Sequence, residues 1–391
     1  MRAKTGTQPG KKRIVAIVIW MAFFIAGPSW AAGPTRVLPS DVVATLTYLL
    51  DYQKETQPQP LDMQRVEPYL AFISTPKPAG TIYTAGGGFS DPSAFNQFII
   101  DVDLQRIMDY TLDKNIPSFF FWPSSLRLST WTSVDGGREQ LGVLKNAWQT
   151  MDMPFVLTGS EHVSITPDQH TGAYFTYDVD KVIVLSSYGK GKILISIQLQ
   201  KEPSAVGRKG WVLGEDEEWS YLYTAEKGLG LKGLGWADTY MYDSYNVTVY
   251  HQPDLATPKV ICSCVSWVNA GWAGINMVKS KHIYRGLTRV AEAFTSVLKN
   301  PRLPEPSTLA ETFAKKENLS TSTLRKYTST YFSELERRIS ESEAVWKKIR
   351  HSFNSNRLLD QMTRDEMYAT LALDYFKKVL GMHPVMDTHP F

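Results

Sequence analysis

Ile193-Leu194-Ile195-Ser196-Ile197-Gln198-Leu199-Gln200 sets four branched or apolar side chains at odd positions against increasingly polar ones at even positions. A strand turns successive side chains to opposite faces, so this alternation predicts a half-buried antiparallel strand. Residues 182–187 (Val-Ile-Val-Leu-Ser-Ser) predict a second strand, and Tyr188-Gly189-Lys190-Gly191 between them has the composition of a hairpin turn. Further strands are expected at 173–177, 219–223, 239–250 and 259–267, separated by Gly228-Leu229-Gly230, Gly233-Leu234-Gly235 and similar breaks. Together they predict an antiparallel sheet of about five to seven strands.

On both sides of this block the apolar period changes to that of a helix. Ile283, Leu287, Val290, Ala291, Phe294, Val297 and Leu298 form one stripe of a long helix expected over 281–299, which Pro301, Pro304 and Pro306 terminate. Beyond it the chain reads as all helix. Thr308 with Glu311 and Thr363 with Glu366 have capping-box spacing, Gly381 is placed to close the last helix, and the apolar positions of 324–353 fit one helix of up to eight turns. Upstream, Ser40 is placed to cap a helix, Leu104, Ile107, Met108 and Leu112 repeat at helical spacing, and the run Phe119-Phe120-Phe121-Trp122 suits a buried strand. Ala85-Gly86-Gly87-Gly88 lacks the order of a phosphate-binding loop and reads as a flexible connection. The fold class expected is α+β, a mainly antiparallel sheet packed on a long helix. The expected segments are 1–31 as a signal peptide, 32–153 as a mixed helical region, 154–300 as sheet plus long helix, and 301–391 as a helical region.

Lys11, Lys12 and Arg13 precede an apolar run over 14–26, and Ser29 and Ala31 place small side chains for cleavage after Ala31. A 13-residue run extends only ~20 Å as a helix, short of the ~30 Å of a bilayer core, so export with cleavage is expected, to the periplasm or outside the cell. The formal charge of +3 comes from 42 basic and 39 acidic residues, and five of the basic ones lie in the first 13 positions. Without those five the acids are in the majority, so nucleic acid is not expected as a partner. Cys262 and Cys264 are the two cysteines, and on one strand face they sit about 6.6 Å apart, poorly placed for a bridge. Two small buried thiols are expected.

Seven histidines fall in no catalytic frame. Ser160 and His162 are too close in sequence to be expected as a nucleophile and its base. His383, Asp387 and His389 read as a solvated terminus rather than a metal site, and Glu215-Asp216-Glu217-Glu218 as a solvated turn, since calcium ligands alternate. No catalytic residue, metal or cofactor is therefore singled out, and a non-catalytic role is preferred while the enzyme question stays open. Trp211, Trp219, Tyr221, Tyr223, Trp236, Tyr240, Tyr242, Tyr245 and Tyr250 crowd into forty residues, the composition of a core or a ligand pocket.

An antiparallel sheet followed by Trp267-Val268-Asn269-Ala270-Gly271-Trp272-Ala273-Gly274 and the long helix resembles the START-like helix-grip proteins over about 154–300. That resemblance implies a helix-grip-like fold whose curved sheet wraps the helix and holds a lipid or other hydrophobic ligand. It would place Leu287, Val290 and Phe294 on the helix, with Ile193, Ile195, Ile197, Trp236 and Tyr245 facing them, as pocket lining. The expected function is an exported, envelope-associated carrier or binding protein for a hydrophobic small molecule or lipid, held non-covalently, with peripheral contact to a membrane. Two alternatives differ in class: an envelope assembly or scaffolding protein docking a protein partner through its C-terminal helices, and an exported hydrolase with an unrecognised site.

Overall fold

The computed structural model describes residues 34–54, 60–86, 92–150, 154–169, 171–231, 235–314, 318–341 and 353–391, with Trp346 and Ile349. The expected signal peptide over 1–31, Gly87 and Gly88, and most of 342–352 lie outside the described residues. Among the described residues the fold is α+β, built on a ten-stranded mixed sheet that is antiparallel at all but one pairing.

The sheet begins with β1 (Thr35–Val37), β2 (Ile82–Thr84) and β3 (Ser93–Ile100) and ends with β4 (Leu126–Val134) and β5 (Phe155–Ile165). Its centre is made by β7 (Thr176–Tyr188), β8 (Gly191–Gln200), β13 (Tyr240–Gln252) and β14 (Val260–Trp272), with β15 (Ile275–Asn276) on β14. The spatial order is β1-β2-β3-β14-β13-β8-β7-β5-β4. The β7–β8 hairpin pairs Tyr188 with Gly191, and Gly189 at its turn has φ +60°, a conformation glycine adopts without cost. Small additional sheets are formed by β6 (Ala173–Tyr174) with β9 (Arg208–Val212) and β10 (Tyr221–Lys227), and by β11 (Leu229–Leu231) with β12 (Gly235–Ala237). The sheet is not confined to 154–300, because β3 fills the place beside β14, pairing Ile100 with Val260 through to Ser93 with Trp267.

Helices cover both faces. On one face lie α1 (Ser40–Gln53) and α2 (Met63–Ser74), whose Leu46, Leu49, Tyr69 and Leu70 pack on Ile193, Ile195, Ile197, Val247, Val249, Val265 and Trp267. The α1 helix is preceded by Pro39 rather than capped by the Ser40 side chain. On the other face lie α3 (Leu104–Thr111), α4 (Glu139–Thr150), α5 (Ser280–Leu298), α6 (Pro306–Ala314) and the last helix, α9 (Arg364–Val379). Phe294 of α5 meets Phe98, Trp122 and Tyr250 there, at ring separations of 6.1, 5.8 and 5.9 Å. A third apolar cluster is made by α7 (Thr321–Ser340), α8 (Ser355–Gln361) and α9 with Leu222 of β10. Leu324, Phe332, Leu335 and Ile339 of α7 are buried in it, so that helix's apolar stripe is covered within the chain.

Several expectations are corrected. Phe119 and Phe120 belong to a 3₁₀ turn, Ser118–Phe120, not a strand, because Pro117 starts a tight turn that stacks Phe120 on Phe376 at 4.2 Å. The α6 helix starts at Pro306, so Thr308 lies inside it; proline suits the first helical position, where its missing N–H is not needed. The Thr363–Glu366 box does form: Thr363 Oγ1 accepts from Glu366 N at 3.1 Å and Glu366 Oε2 from Thr363 N at 2.9 Å. The chain's last described segment is not frayed. Asp374, at 3% exposure, accepts from the N–H groups of Val385 and Met386 at 2.6 and 3.0 Å and meets His389 Nε2 at 2.9 Å.

His251 lies in the sheet at 3% exposure with neither ring nitrogen hydrogen-bonded among the described residues. Burial pushes its pKa down to about 4 from 6.5. A depressed histidine binds its proton in the unfolded chain first, so stability is complete above pH 6.5 and falls as pH drops toward 4. His251→Phe is expected to remove about 3 kcal/mol of acid destabilisation between those limits, read as the difference in urea midpoints at pH 7 and pH 4. Equal acid sensitivity in the variant would reject this assignment. Cys262 and Cys264 are both free, on the face of β14 toward α5; burial raises both thiols, Cys264 to about 11, although Thr248 Oγ1 donates to its sulfur at 3.4 Å. Such thiols are poor nucleophiles at neutral pH.

Candidate functional site

The expected pocket lining is divided by the sheet. Ile193, Ile195 and Ile197 are fully buried against α1 and α2, and Tyr245 is half-buried beside them. Phe294 belongs to the opposite layer, and Leu287 packs with Ile82, Ala94 and Ile283 farther along α5, while Val290 is half-buried. The Trp236 side chain lies outside the described residues. The expectation that the isoleucines face α5 is therefore corrected. Alternation identifies which positions are buried but not which layer buries them, and β8 turns Leu194, Ser196 and Gln198 to the opposite face, where Leu194 joins the cluster that holds Phe294.

A cleft of about 320 Å³ opens elsewhere, between the loop after α3, β4, the start of α4 and the first turn of α9. That volume lies near the lower end of small-molecule sites. Leu112, Ile116, Phe119, Leu128 and Leu141, all buried, back the cleft, while more of its accessible lining is polar than apolar. Half-buried Trp131 and Tyr368 supply aromatic walls, the side of a residue type suited to apolar contact with one polar edge. The rim carries Lys114, Arg138 and Arg364 against Asp113 and Asp365. Local structure explains each position. Pro117 and the 3₁₀ turn after it fold the α3 loop over Phe119, the β4 strand carries Leu128 and Trp131, and the capping box at Thr363 fixes the direction of α9.

The rim charges differ in how far they are neutralised. Asp113 is held by Lys145 at 2.8 Å, and Lys114 by Glu139. Arg138 Nη2 donates to the Trp131 carbonyl at 3.1 Å, and Arg364 donates to the Leu319 carbonyl at 3.2 Å, so both guanidinium groups are positioned by backbone carbonyls. Arg364 also lies 3.5 Å from Asp365. Behind β4, Arg127 is 3% exposed and its Nη1 meets Glu366 Oε1 at 2.8 Å; with Tyr221, Tyr223, Tyr331, Asp374 and Lys377 it lines a cavity of about 30 Å³. That space suits one or two water molecules rather than a ligand.

Ser160 and His162 do lie on one face of β5, but not as a nucleophile and base. Ser160 Oγ donates to Asp180 at 2.7 Å and receives a hydrogen bond from Lys201 at 3.3 Å, while His162 Nδ1 pairs with Asp178 at 2.6 Å. The serine proton is thus directed to a carboxylate, and the His162 and Asp178 side chains are 42% and 54% exposed. Among the described residues no group of three or more His, Cys, Asp or Glu is placed to hold a metal ion, and no helix is long and apolar enough to cross a membrane. Comparison with protein-family models, curated proteins and solved structures gives no match. The cleft's own geometry is accordingly the ground for a functional reading. Its residues come from 111–119, 128–141 and 364–368, segments whose proximity no spacing rule in the sequence could indicate.

Proposed function

We propose that this chain is an exported, envelope-associated binding protein that holds an amphiphilic ligand, an apolar chain with an anionic group, without covalent chemistry. The observation that carries the reading is that Trp131, Tyr368 and the buried apolar side chains behind the cleft lie beside Arg138, an exposed guanidinium on its otherwise polar rim. Burial of an alkyl chain contributes about 0.8 kcal/mol per methylene, and a guanidinium favours a carboxylate or phosphate over a neutral head. Export rests on the basic and apolar pattern of 1–31. Support for a helix-grip arrangement is limited to α5 lying on one face of the antiparallel sheet; the ligand site proposed is at β4 and α9, away from the residues which that resemblance implied.

The test is calorimetric titration of the full chain with laurate, with dodecanol as the neutral comparison. Laurate is expected to bind more tightly than dodecanol by at least tenfold, Trp131→Ala to weaken laurate about tenfold or more, and Arg138→Gln to erase most of the preference for the acid. No binding of either probe, or equal binding by the wild type and both variants, would reject the reading.

A further inference from the structure

β14 and β15 form a two-residue hairpin in which Trp272 pairs with Ile275 across Ala273 and Gly274. Both turn residues have positive φ, 51° and 75°. Such a turn is ordinarily filled by Asn-Gly or Asp-Gly, because a side chain at the first position is strained unless it is Asn, Asp or Gly. Alanine there leaves the tip, Trp272 to Ile275, without a polar side chain. Ile275 and Met277 are 53% and 56% exposed, the most exposed large apolar residues after Val37 among the described residues, and they lie together at one end of the sheet. Trp272 is half-buried, and Tyr240 and Tyr242 stack at 6.0 Å on the adjacent strand, with the Tyr242 hydroxyl accepting from Gly274 N at 2.8 Å.

The segment that follows this tip carries charge of one sign. Lys279, Lys281 and Arg285, all exposed, occupy the start of α5, and the sequence contains no Asp or Glu from 255 through 291. On β13 and just before it the nearby carboxylates are Asp238, which is exposed, and Asp243, which accepts from the Tyr245 hydroxyl at 3.1 Å. Exposed apolar side chains at a hairpin tip, aromatic rings behind them and a basic collar are the order of chemistry met on passing from acyl chains to headgroups to water. We infer that this hairpin and the first turns of α5 are a peripheral contact with an anionic bilayer surface. Ile275 and Met277 enter the acyl boundary, the tyrosines lie at headgroup level, and the lysines and Arg285 meet the lipid phosphates.

The experiment is hydrogen exchange of the full chain on vesicles of phosphatidylcholine alone and of phosphatidylcholine with one quarter phosphatidylglycerol. It resolves this segment from any contribution of residues 1–33. Exchange over 272–279 is expected to slow at least tenfold on the anionic vesicles at 50 mM salt, to be little changed on the neutral ones, and to recover at 500 mM salt. Ile275→Asp with Met277→Asp removes the protection, and each of Lys279→Gln, Lys281→Gln and Arg285→Gln weakens binding about fivefold. Leu255→Asp alters an equally placed control, 46% exposed beyond the opposite end of β13, and keeps full binding. The inference is overturned if the segment is unprotected on anionic vesicles, if Leu255→Asp abolishes binding as the tip variant does, or if protection arises with protein concentration alone, which would make the surface a contact between copies of this chain.

Discussion

Arg127→Ala is expected to cost about 3–5 kcal/mol of unfolding free energy, measured from urea denaturation at pH 7. The guanidinium is 3% exposed, bonded to Glu366 at 2.8 Å, with the Tyr223 ring centre at 4.1 Å. Removing it leaves a carboxylate that is only 12% exposed without its cation. Glu366 has a second duty, since its other oxygen accepts from Thr363 N at the start of α9, so an unpaired charge there also disturbs the helix that forms one side of the cleft. Arg127→Met with Glu366→Gln is expected to recover a large part of the loss, because neither residue then carries a buried charge. A cost below 1 kcal/mol for the single change would show that the pair is freely hydrated and that this account of the β4–α9 junction is wrong.

Asp374→Ala is expected to destabilise by about 3 kcal/mol and to release 385–391 from the body. Its two oxygens accept from two backbone N–H groups and contact His389, whose side chain is 1% exposed. Each buried donor left without an acceptor costs about 1–3 kcal/mol. Amide exchange at Val385 and Met386 should accelerate at least tenfold, while Ile195 in the sheet centre keeps its protection until global unfolding. Asp374→Asn retains an acceptor and should lie between. If both amides exchange as slowly in Asp374→Ala as in the wild type, something other than Asp374 holds the segment.

What was legible in the sequence follows from how local each signal is. The β7–β8 hairpin is announced by alternation on both sides of Gly189, and β13, β14 and α5 by long unbroken periods. The second capping box is readable because its two partners lie three residues apart. The role of β3 was hidden, since nothing near Ser93–Ile100 says that it will pair with β14. Phe119 and Phe120 misled for a related reason: an apolar run reports burial, and here the burial comes from Phe376 and Phe313 rather than from neighbouring strands. The same limit applied to the isoleucines of β8, whose burial was plain but whose covering helices, α1 and α2, were not. The cleft was unreadable for the strongest reason. Trp131, Arg138 and Arg364 are ordinary surface residues until the fold brings them to one opening.

The pairing of β3 with β14 also governs when the molecule can become itself. About 160 residues separate Ile100 from Val260, and more than 250 separate Phe120 from the Phe376 ring stacked on it. Both contacts must close large loops before either is rewarded by burial, which places this chain among slow-folding topologies. During synthesis the β7–β8 hairpin emerges with its two apolar faces long before α9 exists to shield the 3₁₀ turn and its surroundings. A nascent chain of this design therefore spends its early life with adhesive surfaces uncovered.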